Sequence, residues 1–215
     1  MMQGIKKARG GGDSEGWITT FSDLMALLFC FFVLLTTLST APKACQGLAD
    51  YFELNSHLYK NFQLRNSKLE CVITLPSDFL FLSGEDKLQK AALPRLRPLF
   101  ATIKDLDEHK NDLIIVEGHT DNVPIKSRRF PSNWELSSAR ATNMATYMKS
   151  LGFPEDRLSV RAFAEHRPAV AYMDDMGKTL SGASLVTARR ANRRVEIILV
   201  NPPTKKEEYG LLFPH

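Results

Sequence analysis

The chain has 215 residues and a formal net charge of +4. The excess is modest and spread along the sequence, which argues against a nucleic-acid-binding surface built on a basic patch. Cysteines stand at positions 30, 45 and 71, with no Cys-x-x-Cys pair and no histidine spacing of the kind that holds zinc.

The first predicted segment is a tail, residues 1–16. It carries Lys6, Lys7 and Arg9 ahead of Gly10, Gly11 and Gly12, and the positive-inside rule puts it in the cytoplasm. Residues 17–40 form one membrane helix. Trp17 to Ser39 is apolar over about 20 residues, enough for one crossing. Its one charge is Asp23. A carboxylate at that depth costs about 3 kcal/mol on insertion scales, so it needs a role or a partner. At about 100° per residue, Thr19, Thr20, Ala26, Leu27, Cys30 and Thr37 share its face, and Phe21, Met25, Leu28, Phe32 and Leu35 lie opposite. Small and polar residues on one side predict packing against other helices there, with Asp23 binding and releasing a proton or a small cation. The alternative is an Asp23 near the interface that reaches water. A cleaved signal peptide fits less well: the run is long, contains Asp23, and lacks a small-x-small site after it. The bulk of the chain is then outside, in the periplasm of a cell with two membranes.

Residues 41–68 are a connector, and Pro42 ends the membrane helix or starts the next one. Leu48, Tyr51, Asn55, Leu58 and Phe62 recur every three or four residues. That is a heptad seam with a polar residue of the kind that fixes register in a dimer. It is equally the pattern of an amphipathic helix lying on the membrane or on its own domain. Both readings predict a helical connector. It would span about 40 Å as a helix and about 90 Å fully extended. Cys45 and Cys71 lie on the outer side, where a disulfide is allowed; two free thiols are the other reading.

Residues 69–201, roughly 130 residues, suit one domain with its own core. Leu69 to Leu82 reads as strand, turn and short strand around Pro76-Ser77-Asp78. Asp86 to Ile103 has helical spacing, interrupted by Pro94 and Pro98. Leu113 to Glu117 is a buried strand running into Gly118-His119-Thr120-Asp121. Trp134 to Leu151 is a helix ended by Gly152 in a left-handed cap. Leu158 to Phe163 is a strand, Ala171 to Ser184 a polar loop, Thr187 to Asn192 a short helix and Val195 to Val200 a last buried strand. The fold class is α/β: a mixed-sheet sandwich with helices on one face. A tail, residues 202–215, follows.

Three motifs bring a resemblance. Gly118-His119-Thr120-Asp121-Asn122, then Asn133 to Ala141 (NWELSSARA), then Asn192 to Ile197 (NRRVEI) are similar in order and spacing to the OmpA-like peptidoglycan-binding domain. With Thr20-Phe21-Ser22-Asp23-Leu24-Met25 in a single N-terminal helix, the chain resembles a MotB/PomB-type B subunit of the flagellar stator. The resemblance implies that Asp23 carries H+ or Na+. It further implies that the outer domain anchors the complex to peptidoglycan, and that a homodimer sits within a ring of multi-span MotA/PomA-type A subunits. It also implies that a segment after the membrane helix plugs the channel. The run holding Leu48, Tyr51, Leu58 and Phe62 is the one placed to do so. Two departures are Ala162, where the family often has Gly, and the short connector.

Peptidoglycan stem peptides expose an ammonium and a carboxylate on diaminopimelate. Asp121 at a strand end suits the ammonium, and Arg140 suits the carboxylate through two parallel hydrogen bonds; the family gives the matching residues these roles. Asn122 and Arg194 are candidates for the rim. The competing reading is an internal Asp121–Arg140 salt bridge. His119 reads as a structural histidine, not a metal ligand. With no nucleophile–base pair and no metal cluster, the expectation is a non-enzymatic protein without cofactors. Two rivals stay open: the B component of a non-flagellar stator-like machine, such as an anti-phage defence complex, and a purely structural wall anchor.

Overall fold

The computed structural model describes residues 16–39, 45–67 and 70–201. The basic tail with Lys6, Lys7 and Arg9, Pro42, and residues 202–215 lie outside the described residues. The chain divides into two compact units, Met1–Pro42 and Lys43–His215.

The first unit is α1, Gly16–Ser39. Its 24 residues make a rod of about 36 Å at 1.5 Å per residue. Residues Gly16–Leu35 are long and apolar enough to cross a membrane once. The Thr19 and Thr20 hydroxyls donate back to the Gly16 and Trp17 carbonyls, at 2.8 and 3.0 Å, so they add no unpaired polar groups. Trp17, Phe21, Leu24, Leu27, Phe29, Phe31 and Leu34 are all exposed. They surround the helix, so its apolar surface is broader than one lipid-facing stripe, as befits a helix embedded all round.

The second unit is built on a five-stranded mixed sheet. Its strands are β1 (Gln63–Asn66), β2 (Glu70–Pro76), β3 (Leu113–His119), β4 (Leu158–Ala164) and β5 (Arg194–Val200), in the spatial order β1-β2-β5-β3-β4. β3 and β4 run parallel; the other neighbours are antiparallel. The helices are α2 (Gln46–Leu54), α3 (Ser77–Leu80), α4 (Leu93–Asp105), α5 (Asn133–Ser150) and α6 (Gly182–Asn192). Strand alternation sends Ile73, Leu75, Ile114, Val116, Val195 and Ile197 to one face, where Leu96, Phe100 and Ile103 of α4 and Met144 and Met148 of α5 cover them. The other face carries a small apolar patch, Val72, Ile115 and Ile198.

α5 is fixed at both ends. Ser132 and Glu135 form a reciprocal capping box, and Gly152 ends the helix at φ 88°, the left-handed geometry expected of it. Gly118 lets α5 close onto β3, because a Cβ there would collide with the backbone carbonyl of Ser137.

Three sequence expectations change. The short strand after Pro76 is the helical turn α3, and only Phe81 bridges, to Leu88. Leu93-Pro94 opens α4 rather than interrupting it, since proline suits the first helical turn. Among its described residues the connector is α-helical only over Gln46–Leu54, and Gln63–Asn66 form the edge strand β1. Leu48 and Phe62 lie in the main core, with Tyr51 and Leu58 packed against it. The expected seam is therefore a surface this domain uses for itself. Tyr59, one residue past the seam position Leu58, joins it by hydrogen-bonding Tyr51 through the hydroxyls at 3.0 Å. A Cys45–Cys71 disulfide staples α2 to β2.

Candidate ligand-binding site

Sequence dictates a cavity where β3 ends. After His119 the chain must leave the sheet, and Asn133 at the start of α5 shapes its path. The Asn133 side-chain amide donates to the Val123 carbonyl at 3.1 Å and accepts from the Ile125 N–H at 3.3 Å. The loop so held, α3 and the first turns of α5 enclose about 740 Å³. Asp78, Phe81, Asp121, Leu136, Arg140 and Arg193 are among its walls.

Asp121 and Arg140 both reach this cavity, as expected, but they do not pair. Asp121 accepts from Arg193 Nη1 at 2.7 Å through one oxygen and from the Val123 N–H at 3.0 Å through the other. Arg193 also grips Asp78 with two parallel bonds, Nε to Oδ1 at 3.0 Å and Nη2 to Oδ2 at 2.9 Å. These bonds raise the Arg193 pKa, Asp78 contributing most, burial opposing and Asp121 adding. The Asp78–Arg193–Asp121 relay thus replaces the expected Asp121–Arg140 bridge.

Arg140 is 5% exposed. Its Nε donates to the Glu85 carbonyl at 2.8 Å and its Nη2 to the Leu82 carbonyl at 3.4 Å. The guanidinium stands over the Phe81 ring, 5.0 Å from the centroid. Among the described residues it makes no ion pair within 4.0 Å. Burial lowers its pKa to about 10, against the more distant pull of Asp78. A buried cation held by carbonyls, with carboxylates near but none in contact among the described residues, favours a carboxylate ligand that touches it.

The two rim candidates sit elsewhere. Asn122 is turned away from the cavity: its N–H donates to the Tyr172 hydroxyl at 3.0 Å and its side chain accepts from Arg189 Nε at 2.9 Å. It ties the loop to α6. Arg194 is the first residue of β5 and points to the sheet face opposite α4 and α5, where its Nε donates to Glu196 at 2.6 Å. Arg193 and Arg194 are adjacent, so strand alternation puts only Arg193 in the cavity. Asp78 and Arg193 are the residues that sequence reasoning missed. The signal was the doubled arginine of NRRVEI, one member of which had to face each way.

Asp23 lies in α1, in the other unit. Leu48, Tyr51, Leu58 and Phe62 are packed in or against the core of the second.

Residues 80–180 match the OmpA family, and residues 3–54 match the family described as membrane MotB of the proton-channel complex MotA/MotB. The chain is 28% identical to the uncharacterized protein YtxE of Bacillus subtilis (strain 168), over 89% of this chain and 90% of that one. It is 31% identical to Motility protein B of the same organism over 60% of this chain, and that match spans only 44% of the relative. The cell wall anchor of the T6SS from Pseudomonas aeruginosa is similar in structure, with a TM-score of 0.58 at 25% identity, covering 75% of this chain and 99% of that one. The membrane motif and the OmpA-type domain occur in one chain, and together these matches support a MotB-type protein with an OmpA-like domain.

Proposed function

We propose that this chain is the B subunit of an ion-driven stator, anchored by its outer domain to peptidoglycan. The observation that carries the anchoring half is Arg140, a buried guanidinium in a cavity wall whose described partners are two backbone carbonyls. In this reading the diaminopimelate carboxylate takes the Arg140 fork. The diaminopimelate ammonium approaches Asp121, whose oxygens retain acceptor capacity beside Arg193. Asn122 and Arg194 act indirectly, by holding the loop and the far face of the sheet. The ion half rests on Asp23, the one carboxylate in an apolar helix of 24 residues. Asp23 takes up and releases H+ or Na+ beside a multi-span A subunit, and two copies of this chain share the complex. α1 crosses the inner membrane once, with the N-terminus cytoplasmic and the Lys43–His215 unit periplasmic.

Sedimentation with purified peptidoglycan sacculi tests the anchor. The wild-type chain should co-sediment and Arg140→Ala should stay in the supernatant with an unchanged circular dichroism spectrum. Equal co-sedimentation of both would remove Arg140 from the wall contact.

A second reading, a wall anchor without ion transport, is favoured by the likeness to the P. aeruginosa cell wall anchor. The two part at Asp23. Asp23→Asn should abolish ion-driven work if the stator reading holds and leave function untouched if α1 is only a tether.

A gate built from Leu48, Tyr51, Leu58 and Phe62 would first have to leave the core they occupy, at about 2 kcal/mol per large side chain. The Cys45–Cys71 bond opposes that release.

A further inference from the structure

The face of the sheet opposite α4 and α5 holds a second polar cluster, separate from the cavity lined by Asp121 and Arg140. Glu117 and His119 project from β3 on the same face, two residues apart, and Glu117 is the direct cross-strand partner of Glu196 on β5. All three side chains are buried. One imidazole nitrogen of His119 and one carboxylate oxygen of each glutamate lie within 4.8 Å of one another.

The histidine is the unusual member. His119 is 2% exposed, and neither ring nitrogen has a hydrogen-bond partner. Its ring is stacked on Phe163, centroids 5.4 Å apart, which sets the plane and aims Nε2 at Glu117 Oε2, 3.6 Å away. A buried imidazole whose Nδ1 is unpaired and whose Nε2 has only this long contact to Glu117 is costly, so the arrangement calls for a closer partner. The two glutamates are each half used. Arg161 Nη1 stands 3.4 Å from Glu117 Oε1, and Arg194 Nε donates to Glu196 Oε1 at 2.6 Å. In each pair the arginine holds one oxygen and fixes the carboxylate, leaving the second for another ligand. These guanidiniums balance the two carboxylates, and Arg65, Arg167 and Arg190 against Glu70 leave the surrounding cavity net positive, so a bound cation requires an anion or hydroxide beside it.

The geometry points to a binding site for one divalent transition-metal cation of the zinc class, ligated by His119, Glu117 and Glu196. Imidazole nitrogen with two carboxylate oxygens is a donor set zinc accepts, with further positions open to water. In a tetrahedral zinc site, ligand atoms stand about 3.3 Å apart. The His119–Glu117 pair is already near that spacing, and side-chain rotation alone must bring in Glu196. The ligands come from the two central strands β3 and β5, so metal would cross-link the middle of the sheet. The cluster opens onto a cavity of about 750 Å³, which gives the ion an entry path.

The full chain, purified in detergent, stripped with chelator and dialysed, should be titrated with ZnCl2 by calorimetry. Co2+ should then be added, its visible bands reporting a low-coordinate nitrogen–oxygen site. Wild type should bind one zinc that His119→Gln and Glu196→Gln both lose, each by 100-fold or more, while His166→Gln, an exposed histidine control, retains it. Unfolding of the wild type should move to higher temperature with ZnCl2 and that of the two site variants should not. If the variants prove misfolded by circular dichroism, anomalous scattering at the zinc edge from wild-type crystals decides. A peak between His119 and the two glutamates supports the site. The proposal is overturned by no zinc at that position, by binding unchanged in the folded variants, or by no binding at millimolar ZnCl2.

Discussion

Arg140, two turns into α5, and Asp121, just past the end of β3, both line one cavity, and they were legible in the sequence as candidates for one site. Their relation to each other was not. Which of Arg193 and Arg194 faces the cavity depends on strand register, and a shift of one residue exchanges them. Among the described residues the outcome leaves Arg140 without an ion-pair contact and Asp121 partly engaged by Arg193, so the two residues should respond differently to substitution. Arg140→Met removes a buried charge and keeps the bulk. Its unfolding free energy should change by about 1 kcal/mol or less, since a buried ion replaced by an apolar side chain is close to neutral. Peptidoglycan binding should vanish all the same. Asp121→Ala should cost more stability, because it strips Arg193 of one partner and frees the Val123 N–H; about 2 kcal/mol is expected from losing charge-assisted bonds. Urea unfolding of both variants checks the order. A larger loss in Arg140→Met than in Asp121→Ala would contradict this account of the site.

At the level of elements, the strands and α5 could be read from alternation and helical period because each buries one continuous face. The connector could not be read that way. Apolar residues spaced by three and four serve a two-helix seam and a helix on its own core equally well, and only tertiary contact separates them. The bond between Cys45 and Cys71, with a sequence separation of 26, decides it in favour of the domain. A loop of that size contributes about 3 kcal/mol by restricting the unfolded chain. The double variant Cys45→Ser, Cys71→Ser should lose about that much in urea unfolding, and reduction of the wild type should match it. Gly118 supplies a second test. Gly118→Ala places a methyl against the Ser137 carbonyl and should push α5 off β3, costing about 3 kcal/mol by overpacking. Unchanged stability in that variant would mean that α5 sits farther from the sheet.

For the whole molecule, residues 40–44 alone join Ser39 to the disulfide-bonded Cys45, a covalent reach of about 18 Å when extended. The longer reach that the connector promised as a sequence requires residues 46–67 to leave the fold, and the disulfide holds them to β2. Ion-driven work in cells expressing Asp23→Asn should be absent while the protein still sediments with sacculi, separating the membrane role from the wall role. The account stands on the claim that Arg140 takes the diaminopimelate carboxylate, and a cycle between protein and ligand tests it most directly. Calorimetry would measure the tripeptide L-Ala-γ-D-Glu-diaminopimelate and its side-chain amide against wild type and Arg140→Met. Amidation should weaken wild-type binding by tenfold or more, as loss of a charge-assisted contact requires. On Arg140→Met the two peptides should bind equally weakly. If amidation costs the variant as much as it costs the wild type, the carboxylate is held elsewhere and Arg140 is not its partner.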